Sequence, residues 1–164
     1  MLIENLAIII IFYFIIIFSS IGYGKILSNK ILKKNLGDGY YGLFGLFFLI
    51  IYSYISNIFY AHSVNHNFIL LIPGLFFYFF TKRNQKNFFL IFLIFSILFI
   101  SIVILKTHDD FPYYHFPYTY HLTQTNLMFG IGNFNHGFRT PSSIFYLNSL
   151  FYLPYLNFFF FHMG

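Results

Sequence analysis

Apolar residues run through this chain in blocks rather than in short alternations. Four of them, at about residues 2–21, 41–59, 66–81 and 88–105, are of membrane-crossing size, since a helix needs about 20 apolar residues to span a bilayer. The third contains Pro73-Gly74. That pair breaks a soluble helix, but a membrane helix tolerates it as a kink when neighbours satisfy the freed carbonyl. A fifth apolar block, 144–162, is interrupted by Asn148, Pro154 and Asn157 and reads either as a span or as a segment lying partly in the interface. Between the fourth and fifth blocks sits a polar island, 106–143. The pattern predicts an all-α, polytopic membrane protein: one transmembrane domain over 1–164, four to five transmembrane helices, and a loop carrying a short interfacial helix.

Composition supports this. Charged residues make up 8 % of the chain and mean hydropathy is +0.72, whereas a soluble domain carries about 25 % charged residues. The excess of Phe, Tyr, Ile, Asn and Lys, with few alanines, suits an AT-rich coding sequence, so the many phenylalanines read as drift within the apolar class. There is no cysteine, which excludes disulfides, thiolate metal sites and cysteine nucleophiles. The first block lacks the basic flank and small-residue cleavage site of a signal peptide and has Glu4 before it, so it is expected to stay as a membrane helix. The chain stops inside an apolar run, Phe158–Gly164, which suggests the amino-terminal part of a longer protein.

Lys25, Lys30, Lys33 and Lys34 lie between the first two blocks, and Lys82, Arg83 and Lys86 between the third and fourth. The positive-inside rule puts both clusters in the cytoplasm, in agreement with an alternating four-helix path. The N-terminus and the island 106–143 then face outward, on the outer side of the inner (plasma) membrane. His62, His66, His108, His115, His121 and His136 fall on that same side, either as ordinary interfacial groups or as members of a shared site.

Three constellations in the island could carry chemistry. His108-Asp109-Asp110 follows the fourth block directly. Ionisable groups at a bilayer are costly and usually functional, so one carboxylate could be a general base, its pKa raised by low dielectric and by its neighbour; the alternative is a solvated helix end. Next comes Pro112-Tyr113-Tyr114-His115-Phe116-Pro117-Tyr118, whose two prolines disfavour a regular helix. Asp109, Asp110, His115 and His121 together could hold a divalent cation such as Mg or Mn, although their spacing matches no tight ligand pattern. Residues Tyr118–Phe129 read as a short helix along the membrane. The third is Gly130–Ser143, which is no dinucleotide fingerprint. Thr140 is a candidate N-cap and Pro141 a candidate first helical residue. Arg139 beside that helix start would suit a phosphate or pyrophosphate; ordinary turn chemistry is the alternative. The candidate substrate-binding residues are Tyr114, His115, Asn135, His136, Arg139 and Ser142, and the candidate catalytic residues Asp109 and Asp110.

The run from Asp109-Asp110 through Tyr114-His115-Phe116-Pro117, followed by Gly132–Ser143, resembles the outer loop of bacterial membrane glycosyltransferases of the GT-C type. The resemblance covers about the last third of the chain. It implies transfer of a sugar from a polyprenyl-phosphate donor on the outer face, with Asp109 or Asp110 as base or metal-binding group and His115 and Arg139 contacting donor or acceptor phosphate. In the best-known members the acidic loop follows the first helix, whereas here it follows the fourth. Two other classes fit the residues: a transporter fragment with an outer-face Asp/His cation or proton site, and a non-catalytic membrane subunit. The four apolar blocks hold almost no ionisable groups, which favours surface chemistry over conduction. The lipid bilayer is an expected partner; nucleic acid is not.

Overall fold

The computed structural model describes residues 2–33, 36–80, 85–104 and 109–161. Among these there are helices and turns but no strand. Helix α1 spans Leu2–Leu27 and runs on as a π-turn over Ser28–Leu32, ending where Lys33 enters the left-handed region at φ 50°. Helix α2 spans Asp38–Phe59, α3 Val64–Phe80 and α4 Gln85–Ile104. A π-turn, Phe111–His115, leads without a break into α5, Phe116–Gln124. After short 3-10 turns at Ile131–Asn133 and His136–Arg139 comes α6, Ser143–Ser149.

Among the described residues two helices are long and apolar enough to cross a membrane: Leu6–Ile31 and Asp38–Phe59. At 1.5 Å per residue, α2 alone reaches about 33 Å, against a hydrocarbon core of about 30 Å. Helix α3 and residues 88–104 of α4 are shorter apolar helices. The outward and inward faces of α2 support a lipid setting. Ile51, Ile55 and Ile58 are exposed, while Ser53, Ser56 and Asn57 are buried. A soluble helix does the reverse.

Several expected boundaries are corrected. The first helix does not stop near residue 21, because Ser19, Ser20, Gly22 and Gly24 are buried packing positions rather than a terminus. The short helix in the island starts at Phe116 and not Tyr118, and ends at Gln124 and not Phe129. Pro112 and Pro117 do not prevent it. Pro112 and Pro117 each occupy the first turn of their segment, and Pro117 falls where the register changes: the Phe116 N–H bonds the Phe111 carbonyl, so the donor that proline lacks is missing only at that junction. The block 144–162 is not one helix. It has α6 and then successive turns, with an isolated bridge between Leu153 and Asn157. Tyr155 and Asn157 adopt positive φ of 64° and 48°, which no continuous helix allows.

The chain groups into two compact units. The first comprises residues 1–46 and 71–106. Its helices approach backbone to backbone at small residues: a methyl placed on Gly22 would overlap the Gly74 carbonyl, and one on Gly45 the Ser20 carbonyl. Small residues at such crossings let helices pack closely where the hydrophobic effect cannot drive them together. Aromatic rings fill the remaining space, with Phe14 stacked on Phe92 and Phe18 on Tyr78, each at 4.7 Å between centroids. The Tyr13 hydroxyl donates to the Phe95 carbonyl at 2.9 Å. Lys25 is buried, with its Nζ 3.5 Å from the Asp38 carboxylate and 4.8 Å from the centroid of the Tyr78 ring.

The second unit comprises residues 47–70 and 107–164. Tyr118, Leu122, Phe145 and Tyr146 form an apolar core, against which Tyr114, Ile131 and Phe138 pack.

Because the Gly22 crossing leaves no room for a side chain, Gly22→Val is expected to destabilise the first unit by about 3 kcal/mol, the upper part of the overpacking range. Thermal unfolding in detergent, set against an exposed control such as Leu93→Val, measures it.

Candidate functional site

The Asp-bearing segment owes its shape to hydrogen bonds that start at Asp110. The Asp110 carbonyl accepts from the backbone N–H of Tyr113 at 3.1 Å and of Tyr114 at 3.3 Å. This turn brings the Tyr114 hydroxyl back to the Asp110 carboxylate, to which it donates at 3.2 Å. Desolvation, then the hydrogen bond to Asp110 and the Asp110 charge, raise the Tyr114 phenol above its usual 10, so Tyr114 stays a donor at physiological pH. Asp109 is exposed, and no hydrogen bond to its side chain occurs among the described residues. His108 lies outside the described residues.

The loop after Gly130 folds onto the same segment. Asn135 donates from Nδ2 to the Tyr113 carbonyl at 3.4 Å, and its Oδ1 accepts from the Gly137 N–H at 2.9 Å. Gly137 sits against the Tyr114 ring so closely that a Cβ there would clash with it. His115 packs edge-on to Tyr114, with centroids 4.4 Å apart, and lies 4.8 Å from the Phe145 ring. Asp110, Tyr114, His115 and Asn135 therefore belong to one local assembly.

The other predicted residues stand apart from it. His136 is exposed at the start of its 3-10 turn. Arg139 is exposed and spends its Nε on the Gly132 carbonyl at 3.3 Å. Ser142, not Thr140, caps α6, because it has the extended backbone a cap requires and its Oγ accepts from the Ile144 N–H at 3.3 Å. Helix α6 starts at Ser143, so Pro141 is not its first residue, and with 7 residues it makes no strong dipole for a phosphate. His121 joins no cation site: its Nε2 meets Thr125 Oγ1 at 3.0 Å, and burial lowers its pKa. Among the described residues no three His, Cys, Asp or Glu side chains converge as metal ligands.

A second polar assembly escaped the sequence reading except as a note on two histidines. His62, in the α2–α3 connection, is fully buried. Ser149 Oγ lies 2.7 Å from the Tyr146 carbonyl and 2.6 Å from His62 Nδ1. On the other edge of the ring, His62 Nε2 lies 2.9 Å from the Ser56 hydroxyl, so a neutral His62 donates to one of the two hydroxyls and accepts from the other. Asn67 Nδ2 donates to the carbonyls of His62 and Ser149, both at 2.8 Å. Its Oδ1 meets His66 Nδ1 at 2.9 Å, and His66 Nε2 meets the Tyr52 hydroxyl at 2.9 Å. The two imidazoles stack, 5.3 Å apart and 14° from parallel. The Ser56–His62 contact has the length of a nucleophile–base pair, but it is sealed from solvent and His62 faces a hydroxyl where a triad has a carboxylate. It fastens the α2–α3 connection to the 146–152 segment. The pair of histidines four apart was the available signal; their partners, two serines and an asparagine, carry no signal in the sequence.

The chain matches no family model, no curated protein and no solved structure.

Burial, then the nearby His66, pushes the His62 pKa down to about 3. In the unfolded chain it titrates near 6.5, so below that pH the unfolded state binds a proton that the folded state excludes. Stability is complete above about pH 6.5 and falls as pH drops toward 3, by roughly 2–3 kcal/mol between about pH 7.5 and 4.5 at about 1.4 kcal/mol per unit. Chemical unfolding in detergent at the two pH values is expected to show this loss, and His62→Gln is expected to remove most of the pH dependence while lowering stability at neutral pH.

Proposed function

We propose that this chain is a polytopic membrane glycosyltransferase of the GT-C type, in which α1 to α4 cross the inner membrane and the N-terminus and island 106–143 face outward. It moves a sugar from a polyprenyl-phosphate donor to an acceptor at the outer surface. The observation that carries this reading is the Tyr114–Asp110 hydrogen bond, together with the loop of Asn135 and Gly137 packed on the same turn. A carboxylate oriented by a hydroxyl donor and beside a polar loop is what a base at a membrane rim needs.

In this mechanism the Asp110 carboxylate takes the proton of the acceptor hydroxyl as that oxygen attacks the anomeric carbon. The bond from that carbon to the donor phosphate oxygen breaks with inversion, and polyprenyl phosphate leaves with the electron pair. Tyr114 orients the carboxylate. His115, on the same segment, and Arg139, at the end of the later 3-10 turn, contact the phosphate. Between the two candidate acids, the hydrogen bond favours Asp110 over the exposed Asp109.

Membranes carrying the protein and supplied with a polyprenyl-phosphate-linked sugar test the reading. Loss of a positioned base costs about 10²–10⁴-fold, so Asp110→Asn is expected to lower transfer by at least that lower figure. Tyr114→Phe is expected to cost about tenfold and Asp109→Asn about threefold or less, since neither removes the base itself. Undiminished transfer by correctly inserted Asp110→Asn protein refutes it.

A further inference from the structure

No Asp, Glu, Lys or Arg occurs between Asp110 and Arg139. Within that uncharged stretch, the chain leaves α5 at Gln124 and turns at Phe129-Gly130, with Gly130 at φ 80°. The residues at this tip are large and apolar and open to the outside: Leu127 and Met128 are partly exposed, and Phe129 is 93 % exposed. A side chain of that size left in water is a poor arrangement for a soluble surface. Sited at a membrane boundary, it is an ordinary one.

The hydrogen bonds determine where the tip lies. The Leu127 N–H donates to the Asn57 carbonyl at 2.7 Å. Asn57 Nδ2 reaches the carbonyls of Leu122 and Thr125, both at 3.3 Å, and the His62 N–H donates to the Leu122 carbonyl at 3.0 Å. Asn57 is two residues from the end of α2, a helix of bilayer length. The start of the tip is thus tied to the place where that helix leaves the hydrocarbon. The lipid-facing stripe of α2 (Ile51, Ile55, Ile58 and Phe59, all exposed) ends at the same level.

We propose that Leu127-Met128-Phe129 is a membrane wedge, inserted at the headgroup–acyl boundary of the leaflet at the C-terminal end of α2, with lipid as its occupant. It rests on α2 spanning the membrane and not on the sugar-transfer reading. With the wedge in lipid, the α5 end of the island is held against the bilayer surface.

The chain contains no tryptophan, so a single introduced indole reports its own surroundings. Phe129→Trp and, as a reference on the stripe of α2, Ile55→Trp are each reconstituted in phosphatidylcholine vesicles with bromine at shallow or deep acyl positions. The expected result for Phe129→Trp is blue-shifted emission, strong quenching by shallow bromine, weaker quenching by deep bromine and little by aqueous iodide. Red-shifted emission quenched by iodide overturns the proposal. So does blue-shifted emission that neither bromine position quenches, which would mean a protein partner covers the tip. Ile55→Trp quenched by deep bromine shows that α2 spans in either case. Neither readout depends on transfer activity, so a fully active Asp110→Asn enzyme would remove the catalytic reading and leave this one untouched.

Discussion

The second unit depends on side chains that answer main-chain carbonyls across long stretches of sequence. Asn57 and Asn67 each donate to segments more than sixty residues away: Asn57 to Leu122 and Thr125, Asn67 to Ser149 and Tyr152. Apolar burial is non-directional and does not by itself say which turn meets which. Direction must come from polar groups, and a polar group buried without a partner costs more than a made hydrogen bond gains. Two asparagines and a histidine therefore determine which turn of the 116–152 region meets which turn of α2 and α3.

The first unit meets the same constraint by a different route. Its described helix crossings rely on shape. Glycine and serine remove bulk at the crossings, so that backbones touch directly, and ring stacking fills the spaces between helices. Dispersion contacts of this kind are individually weak and collectively large. Each depends on a close approach that one added methyl group would abolish.

The parts of this molecule legible from the sequence were those written in hydropathy. Helices α1 to α4 lie where the apolar blocks lie, because a long apolar run reads as a helix. Their ends were misjudged where a small polar residue has two meanings. Ser19, Ser20 and Gly22 have the composition of a helix terminus and the role of a crossing. Asn148, Pro154 and Asn157 correctly marked 144–162 as irregular, but not that it would break into turns with residues at positive φ. Of the candidate site, the local pair Asp110 and Tyr114 was within reach, being four residues apart on one turn. The folding of Asn135 and Gly137 onto that turn was not legible, because residues more than twenty positions apart carry no local signal of contact. The His62 assembly was hidden, because serine and asparagine are unremarkable residues until the fold brings them together.

Lys25 gives the chain an order of assembly. Its ammonium group is buried between the Asp38 carboxylate and the rings of Tyr41 and Tyr78. The ring that lies nearest is also the last of the three to be synthesised. Until the start of α2 is made, the cation has no counter-charge, and until the far end of α3 is made, it keeps an open side. A buried charge without its partner is unfavourable, so the surroundings of Lys25 are complete only once α3 has been synthesised. The first helix to be made is then among the last to reach its final packing.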